Sequence, residues 1–227
     1  MRLGVIVAMG KELEQLLGVV EKYSVEQHGN HTFYIGSAGR NEVVLHQCGI
    51  GKVNAAVGAM ELISHYRPDN IVSTGVAGGA SLFLEPGDVI VGKDCCYHDV
   101  YCGPEGEYGQ VQGLPARYPA SSLLLEHSRQ LEVAGNLYEG LIVSGDWFVD
   151  SREKMGSILD HFPEAVGVDM ESAALAQVCH IYGVGFLSIR TVSDVPLKDT
   201  HAAQYMEFWE RVAEGSFQMT RTFIETL

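Results

Sequence analysis

The sequence predicts a single α/β domain with three layers, in which helices cover both faces of a central mixed β-sheet. Three observations predict it. Short apolar runs alternate with helical patterns from residue 2 onward, the arrangement that gives parallel strands joined by crossover helices. Hydrophobic residues make up 46% of the 227 and charged residues 19%, which suits one substantial core. No linker, repeat or low-complexity segment divides the chain, so residues 1–227 read as one domain.

Residues 2–8 are an apolar first strand, and Met9-Gly10-Lys11-Glu12 turns it into a helix carrying Leu13, Leu16, Leu17 and Val20 at helical spacing. His31–Ala38 and Glu42–Gln47 form a hairpin about Gly39-Arg40-Asn41. Gly49-Ile50-Gly51-Lys52 opens a helix that ends before Pro68, and its glycines would let the backbone approach a ligand at the helix N-terminus. The third glycine of a dinucleotide fingerprint is missing, with Asn54 in its place, so a nicotinamide cofactor is not expected. Asn70–Thr74 is a strand that opens into a Gly-rich turn, Gly75–Ala80. Strands follow at Asp88–Gly92 and up to Tyr97-His98-Asp99, where a structural hydrogen bond is the preferred reading of the His–Asp pair.

Residues 100–120 form a long Gly/Pro loop, of a length usually tied to function or an interface. Ser121–Val133 reads as a helix and Leu137–Val143 as a strand leading to Trp147 and Phe148, two aromatics placed to stack on a ring or cover a cleft. An Asp150-Ser151-Arg152-Glu153 capping box starts the next helix, to His161. The stretch Val166–Asp194 then runs strand, Ala-rich helix, strand. Thr200–Leu227 is mostly helix, with Tyr205, Phe208, Val212, Phe217 and Phe223 on an apolar face.

Open parallel sheets bind ligands outside the carboxyl ends of their strands. That rule brings Glu171 and Asp194, each at a strand end, to one cleft together with Arg190. Capping is the plain reading of either acid alone; two acids on successive strand ends favour a site. Glu12 lies at another strand end, and a helix-dipole carboxylate and a functional one fit it equally well.

The net charge of −14, from 29 Asp plus Glu against 15 Lys plus Arg, argues against nucleic acid and anionic membranes as partners. Five cysteines without a C-x-x-C pair read as free thiols of a cytoplasmic protein, and nine scattered histidines lack metal-ligand spacing. The apolar start is too short for a membrane helix.

Taken together, Ala8-Met9…Glu12, Gly49-Ile50-Gly51-Lys52-Val53, Thr74–Gly79, Tyr97-His98-Asp99, Ser144-Gly145-Asp146-x-Phe148, Val168-x-Met170-Glu171 and Arg190-x-x-Ser193-Asp194 resemble, in this order, the 5′-methylthioadenosine/S-adenosylhomocysteine nucleosidases of the purine nucleoside phosphorylase superfamily. The resemblance implies hydrolysis of the bond between adenine and a 5′-thio-ribose, in methionine salvage, without cofactor or metal, by a homodimer. It implies that Asp194, oriented by Ser193, protonates adenine, that Glu12 activates water and that Glu171 binds the ribose hydroxyls. Arg190 would position the water or Glu12, Phe148 would stack on adenine and Val149 would read its edge. Ile50 and Met170 would line the sugar pocket, with Val76, Ala77 and Gly78 nearby and Tyr205 as an aromatic lid. Val76 stands where many members carry Ser, which removes one polar contact. Pro104-Glu105-Gly106 stand where others supply aromatics that reach across a dimer interface to the partner's 5′-pocket, leaving Tyr101 or Tyr108 as substitutes, so 5′-deoxyadenosine or a bulkier adenosine is also compatible. A phosphorylase and a non-catalytic nucleoside sensor are the competing readings. Glu12 disfavours a phosphate nucleophile beside it, and the set Glu12, Glu171 and Asp194 disfavours a mere sensor.

Overall fold

Ten strands pair into one mixed sheet in the computed structural model, which describes residues 1–132, 135–209 and 217–227. At its centre β1 (Arg2–Val7) runs between β4 (Asn41–Gln47) and β5 (Asn70–Gly79), parallel to both. Leu3–Val7 is buried throughout, as an uninterrupted apolar strand between two helical layers must be. β5 pairs in parallel with β10 (Gly185–Asp194), and β10 pairs antiparallel with β6 (Val89–Tyr97). From β6 the order runs through β8 (Leu137–Ser144) and β9 (Ala165–Asp169) back to β5, so part of the sheet closes into a ring. Beyond β4, the antiparallel β3 (His31–Ala38) and β2 (Glu21–His28) carry the sheet to an exposed edge, while β7 (Tyr118–Pro119) adds a short pairing to β6.

Helices cover both faces. α2 (Lys52–Tyr66) and α5 (Ser172–Tyr182) enclose a core containing Ile6, Phe33, Leu62 and Ile71. Complete burial of each such side chain contributes about 1.5–3 kcal/mol. α1 (Gly10–Leu17), α3 (Ser122–Ser128) and the final α7 (Gln218–Thr226) cover the other face over Leu3, Val5, Leu45 and Phe223. α4 (Arg152–Leu159) packs Met155 and Ile158 against Leu141 and Val143. α6 (His201–Glu207) sits beyond β10, where Gln204 Oε1 accepts from the Val195 N–H at 3.0 Å.

Several elements differ from the sequence reading. β2 was not anticipated, because Glu21–His28 is almost wholly exposed and polar and carries no buried face to mark it. α1 correspondingly stops at Leu17, and Val20 belongs to the buried turn before β2. The Gly-rich Gly75–Gly79 is not a turn but the second half of β5: Gly75–Gly78 pairs with Arg190–Asp194 of β10, with an irregularity between Val192 and Asp194, and Gly79 pairs with Gly167 of β9. The two strands expected across 88–97 are one strand with an irregularity between Gly92 and Asp94. α3 ends five residues before the expected Val133, which lies outside the described residues, as does Val212. The cap of α4 is Ser151, whose Oγ accepts from Lys154 N at 3.2 Å, while Asp150 pairs with the Lys154 ammonium instead.

Candidate active site

The carboxyl ends of β1, β4, β5, β8, β9 and β10 converge on one cavity of about 180 Å³. β1 and α1 contribute Met9 and Glu12, and the segment after β4 contributes Ile50. The end of β5 contributes Val76, Ala77 and Gly78. Trp147, Phe148 and Val149 follow β8, Met170 and Glu171 follow β9, and Ser193 and Asp194 end β10. Tyr205 reaches in from α6 and meets Phe148 edge to face at 5.7 Å between ring centroids.

Each carboxylate is held differently. Glu12 Oε2 accepts the Ala8 and Met9 N–H groups at 3.0 and 2.9 Å, and its Oε1 accepts from Val76 N at 3.1 Å. It therefore closes the first turn of α1 and faces the cavity as well. Glu171 makes no capping bond to its own helix; its Oε1 accepts from Gly51 N at 2.9 Å. At the α2 N-terminus Lys52 N likewise donates to a protein carboxylate, Asp146 Oδ1, at 2.8 Å, while Ile50 of the preceding segment lines the cavity. Asp194 Oδ1 accepts from Ser193 Oγ at 2.7 Å.

Burial raises the pKa of all three acids. For Glu12 the Arg190 charge and the backbone donors Met9, Val76 and Ala8 pull the other way without cancelling it. Glu171 is pushed up to about 7 by burial and then by the charge of Asp169. Asp194 is raised by burial, with the Ser193 hydroxyl opposing. Burial thus makes each of the three acids harder to ionise than in water, and Glu171, at about 7, can gain or lose a proton near neutral pH, the kind of tuning by which one site performs acid and base chemistry.

Arg190 is placed differently from the other residues singled out in the sequence. It lies behind the wall of the cavity, 1% exposed, with Nε donating to Asp169 Oδ2 at 2.8 Å and Nη2 to Ser73 and Ser172 hydroxyls at 2.8 and 3.0 Å. Burial works against its charge, but Asp169, Glu171 and Glu12 outweigh that and keep the guanidinium protonated. A side chain on Gly75 would put its Cβ 2.5 Å from Glu12 Oε1 and 2.7 Å from Arg190 Nη1, so these two groups meet over a glycine.

Asp169 is the member that sequence reasoning missed. Besides Arg190 it accepts from Ser144 Oγ at 2.6 Å, from the Ser172 hydroxyl, and from the Glu171 and Ser172 N–H groups. Its signal was present in Val168-Asp169-Met170-Glu171, a strand end with two acids, of which only the second had been selected. His98 and Asp99 do not form the expected hydrogen bond. Asp99 is taken by Lys52 and by Asp146 N, while the buried His98 ring packs edge-on to Trp147 at 5.2 Å. Tyr101 and Tyr108, two aromatics of the long loop, stack on each other at 5.9 Å between ring centroids and are not among the residues of this chain's cavity.

Fold and site together define a class. The family model described as the phosphorylase superfamily matches residues 2–225, and the chain takes its place in that superfamily. A 5′-methylthioadenosine/S-adenosylhomocysteine nucleosidase of Chromohalobacter salexigens is 38% identical over 230 residues, covering 100% of this chain and 97% of the relative. The crystal structure of the Neisseria meningitidis nucleosidase in complex with methylthio-immucillin-A has a TM-score of 0.92 at 37% identity, covering 100% of this chain and 99% of that one. The Colwellia psychrerythraea nucleosidase in complex with adenine gives 0.93 at 33% identity, covering 100% and 96%. The chain belongs to the 5′-methylthioadenosine/S-adenosylhomocysteine nucleosidase family.

Proposed function

We propose that this protein hydrolyses the N-glycosidic bond of 5′-methylthioadenosine and S-adenosylhomocysteine, releasing adenine and the 5′-thio-ribose. The observation that carries this reading is the placement of Glu12, Glu171 and Asp194 around one cavity whose walls include Phe148, Met170 and Ile50. Cleavage of such a bond leaves the ribose with oxocarbenium character and drives an electron pair onto the base, so it calls for an acid at the base and negative charge at the sugar. Asp194, whose carboxyl burial makes harder to ionise, donates a proton to adenine N7 as the C1′–N9 bond breaks. Acid assistance of this kind contributes about 10²–10⁴-fold in rate. Glu171 receives the ribose hydroxyls and stabilises the cationic sugar. Glu12 takes a proton from the water that adds to C1′, and Arg190 sets the charge and orientation of Glu12 from behind. Phe148 and Tyr205 flank the base, and the Val149 backbone meets its edge.

The reading includes a homodimer. The exposed apolar Val53, Val57 and Met60 on α2 support it, and sedimentation tests it. A cytoplasmic location fits the five free thiols. The decisive experiment incubates the protein with 5′-methylthioadenosine in phosphate-free buffer and follows adenine and sugar. Free methylthioribose is the expected product. Cleavage that begins only when phosphate is added, giving a sugar 1-phosphate, would make the protein a phosphorylase and remove Glu12 from its role.

A further inference from the structure

Three fragments singled out in the sequence have residues without a part in this chemistry: Lys52 after Gly49-Ile50-Gly51, Asp99 after Tyr97-His98, and Asp146 after Ser144-Gly145. They meet in one place. Lys52 Nζ donates to Asp99 Oδ1 and Oδ2 at 2.9 and 2.8 Å, Asp146 N donates to Asp99 Oδ2 at 2.9 Å, and Lys52 N donates to Asp146 Oδ1 at 2.8 Å. The same ammonium lies 3.9 Å from Asp146 Oδ2 and 5.5 Å from the Tyr97 ring centroid. The circuit ties the start of α2, the end of β6 and the segment after β8 together.

We propose that Lys52, Asp99 and Asp146 form a clasp that positions the adenine end and the ribose end of the cavity relative to each other. On one side, Asp146 leads directly into Trp147, Phe148 and Val149, which wall the cavity. On the other, Gly51 immediately precedes Lys52 and donates to Glu171. The joint is built closely: a Cβ on Gly51 would stand 2.9 Å from Asp146 Oδ1, and its φ of +93° is one that other residues rarely adopt. The Lys52 and Asp99 side chains are only 24% and 9% exposed, so their attraction is screened less than that of a surface pair. Removing the ammonium leaves two carboxylates facing each other, and their repulsion pushes the Trp147–Val149 wall away from β6. A displacement of about 1 Å in a positioning wall is enough to cost orders of magnitude in a reaction.

The inference rests on the nucleosidase reading, and the test separates the two. Affinity for free adenine, KM and kcat for 5′-methylthioadenosine, and thermal midpoint are measured for the wild type, Lys52→Met, Lys52→Arg and Asp146→Ala. Lys52→Met weakens adenine binding by about tenfold, the factor equivalent to about 1.4 kcal/mol, and raises KM by a similar factor. Lys52→Arg restores most of both. Asp146→Ala, at a half-exposed position that does not threaten folding, shifts adenine affinity the same way, and the Lys52→Met/Asp146→Ala double variant loses less than the sum of the two. A lower midpoint in Lys52→Met and Asp146→Ala with unchanged adenine affinity and KM makes the circuit purely structural and overturns the clasp alone. A wild type that neither cleaves the nucleoside nor binds adenine overturns the nucleosidase reading and the clasp with it.

Discussion

Replacing Asp194 by Asn separates proton transfer from recognition with little change of shape. The Asn Oδ1 still accepts the Ser193 hydroxyl, bonded at 2.7 Å in the native protein, and its Nδ2 occupies the position of the second carboxyl oxygen. That amide can donate a hydrogen bond to adenine N7 but cannot deliver a proton. The leaving base must then depart with its negative charge uncompensated, and the expected loss in kcat is about 10²–10⁴-fold. At about 1.36 kcal/mol per tenfold, this is about 3–5 kcal/mol of transition-state stabilisation. Adenine affinity changes by less than about tenfold, because the number of hydrogen bonds is kept. Single-turnover adenine release measures the first quantity and titration calorimetry with adenine the second. Turnover within threefold of wild type would refute the assignment of Asp194 as the acid, whatever happened to binding.

The same substitution has a consequence for stability whose sign is opposite to that of most buried changes. Burial raises the folded-state pKa of Asp194 above its unfolded value, so the folded protein holds this proton more tightly. The stability that this contributes is complete below the unfolded pKa of about 3.9 and is lost as pH rises through the folded value. At neutral pH the wild type therefore carries the cost of burying an ionisable carboxyl, which Asn does not. The variant is at least as stable as the wild type at pH 7, and its unfolding free energy falls less on going from pH 4 to pH 7. Urea titrations at the two pH values measure the difference. A variant markedly less stable at pH 7 would show that the carboxylate is better solvated or paired than its burial implies.

Two further predictions concern the other acids. Glu171, raised to about 7, must be ionised to stabilise a cationic sugar, so kcat/KM rises with pH through about 7, and Glu171→Gln loses that limb together with most of its activity. Because its pKa is also raised on folding, its contribution to stability is present below about 4.3 and lost as pH rises through about 7, a loss absent from the Gln variant; a pH-activity profile and denaturant titrations across this range check both. Gly75→Ala forces a methyl to within 2.5 Å of Glu12 Oε1 and 2.7 Å of Arg190 Nη1, and moving the base by about 1 Å is expected to lower kcat by about 10²-fold while adenine binding persists. Wild-type kcat in that variant would show that Glu12 is not held where the reaction needs it.

What could be read from the sequence follows from the range over which each residue acts. The α/β class and the buried first strand were legible because periodicity is local, and the strand-end rule brought Glu12, Glu171 and Asp194 into consideration without long-range information. β2 was not, since an edge strand exposed on nearly every residue has no apolar alternation to announce it. Gly75–Gly79 looked like a turn because glycine is permissive; what keeps it extended is pairing with β10, more than a hundred residues away. The same holds inside the site. Capping, the plain reading of Glu171 taken alone, is local, whereas its actual donor, Gly51, is 120 residues distant. Asp169 was passed over between Val168 and Met170 since its work depends on Arg190 and Ser144, 21 and 25 residues away. Acids that face the cavity can be found from their own strand ends. Residues that hold those acids in place become visible only when the strands are brought together, because a buried charge reveals its purpose through its partners.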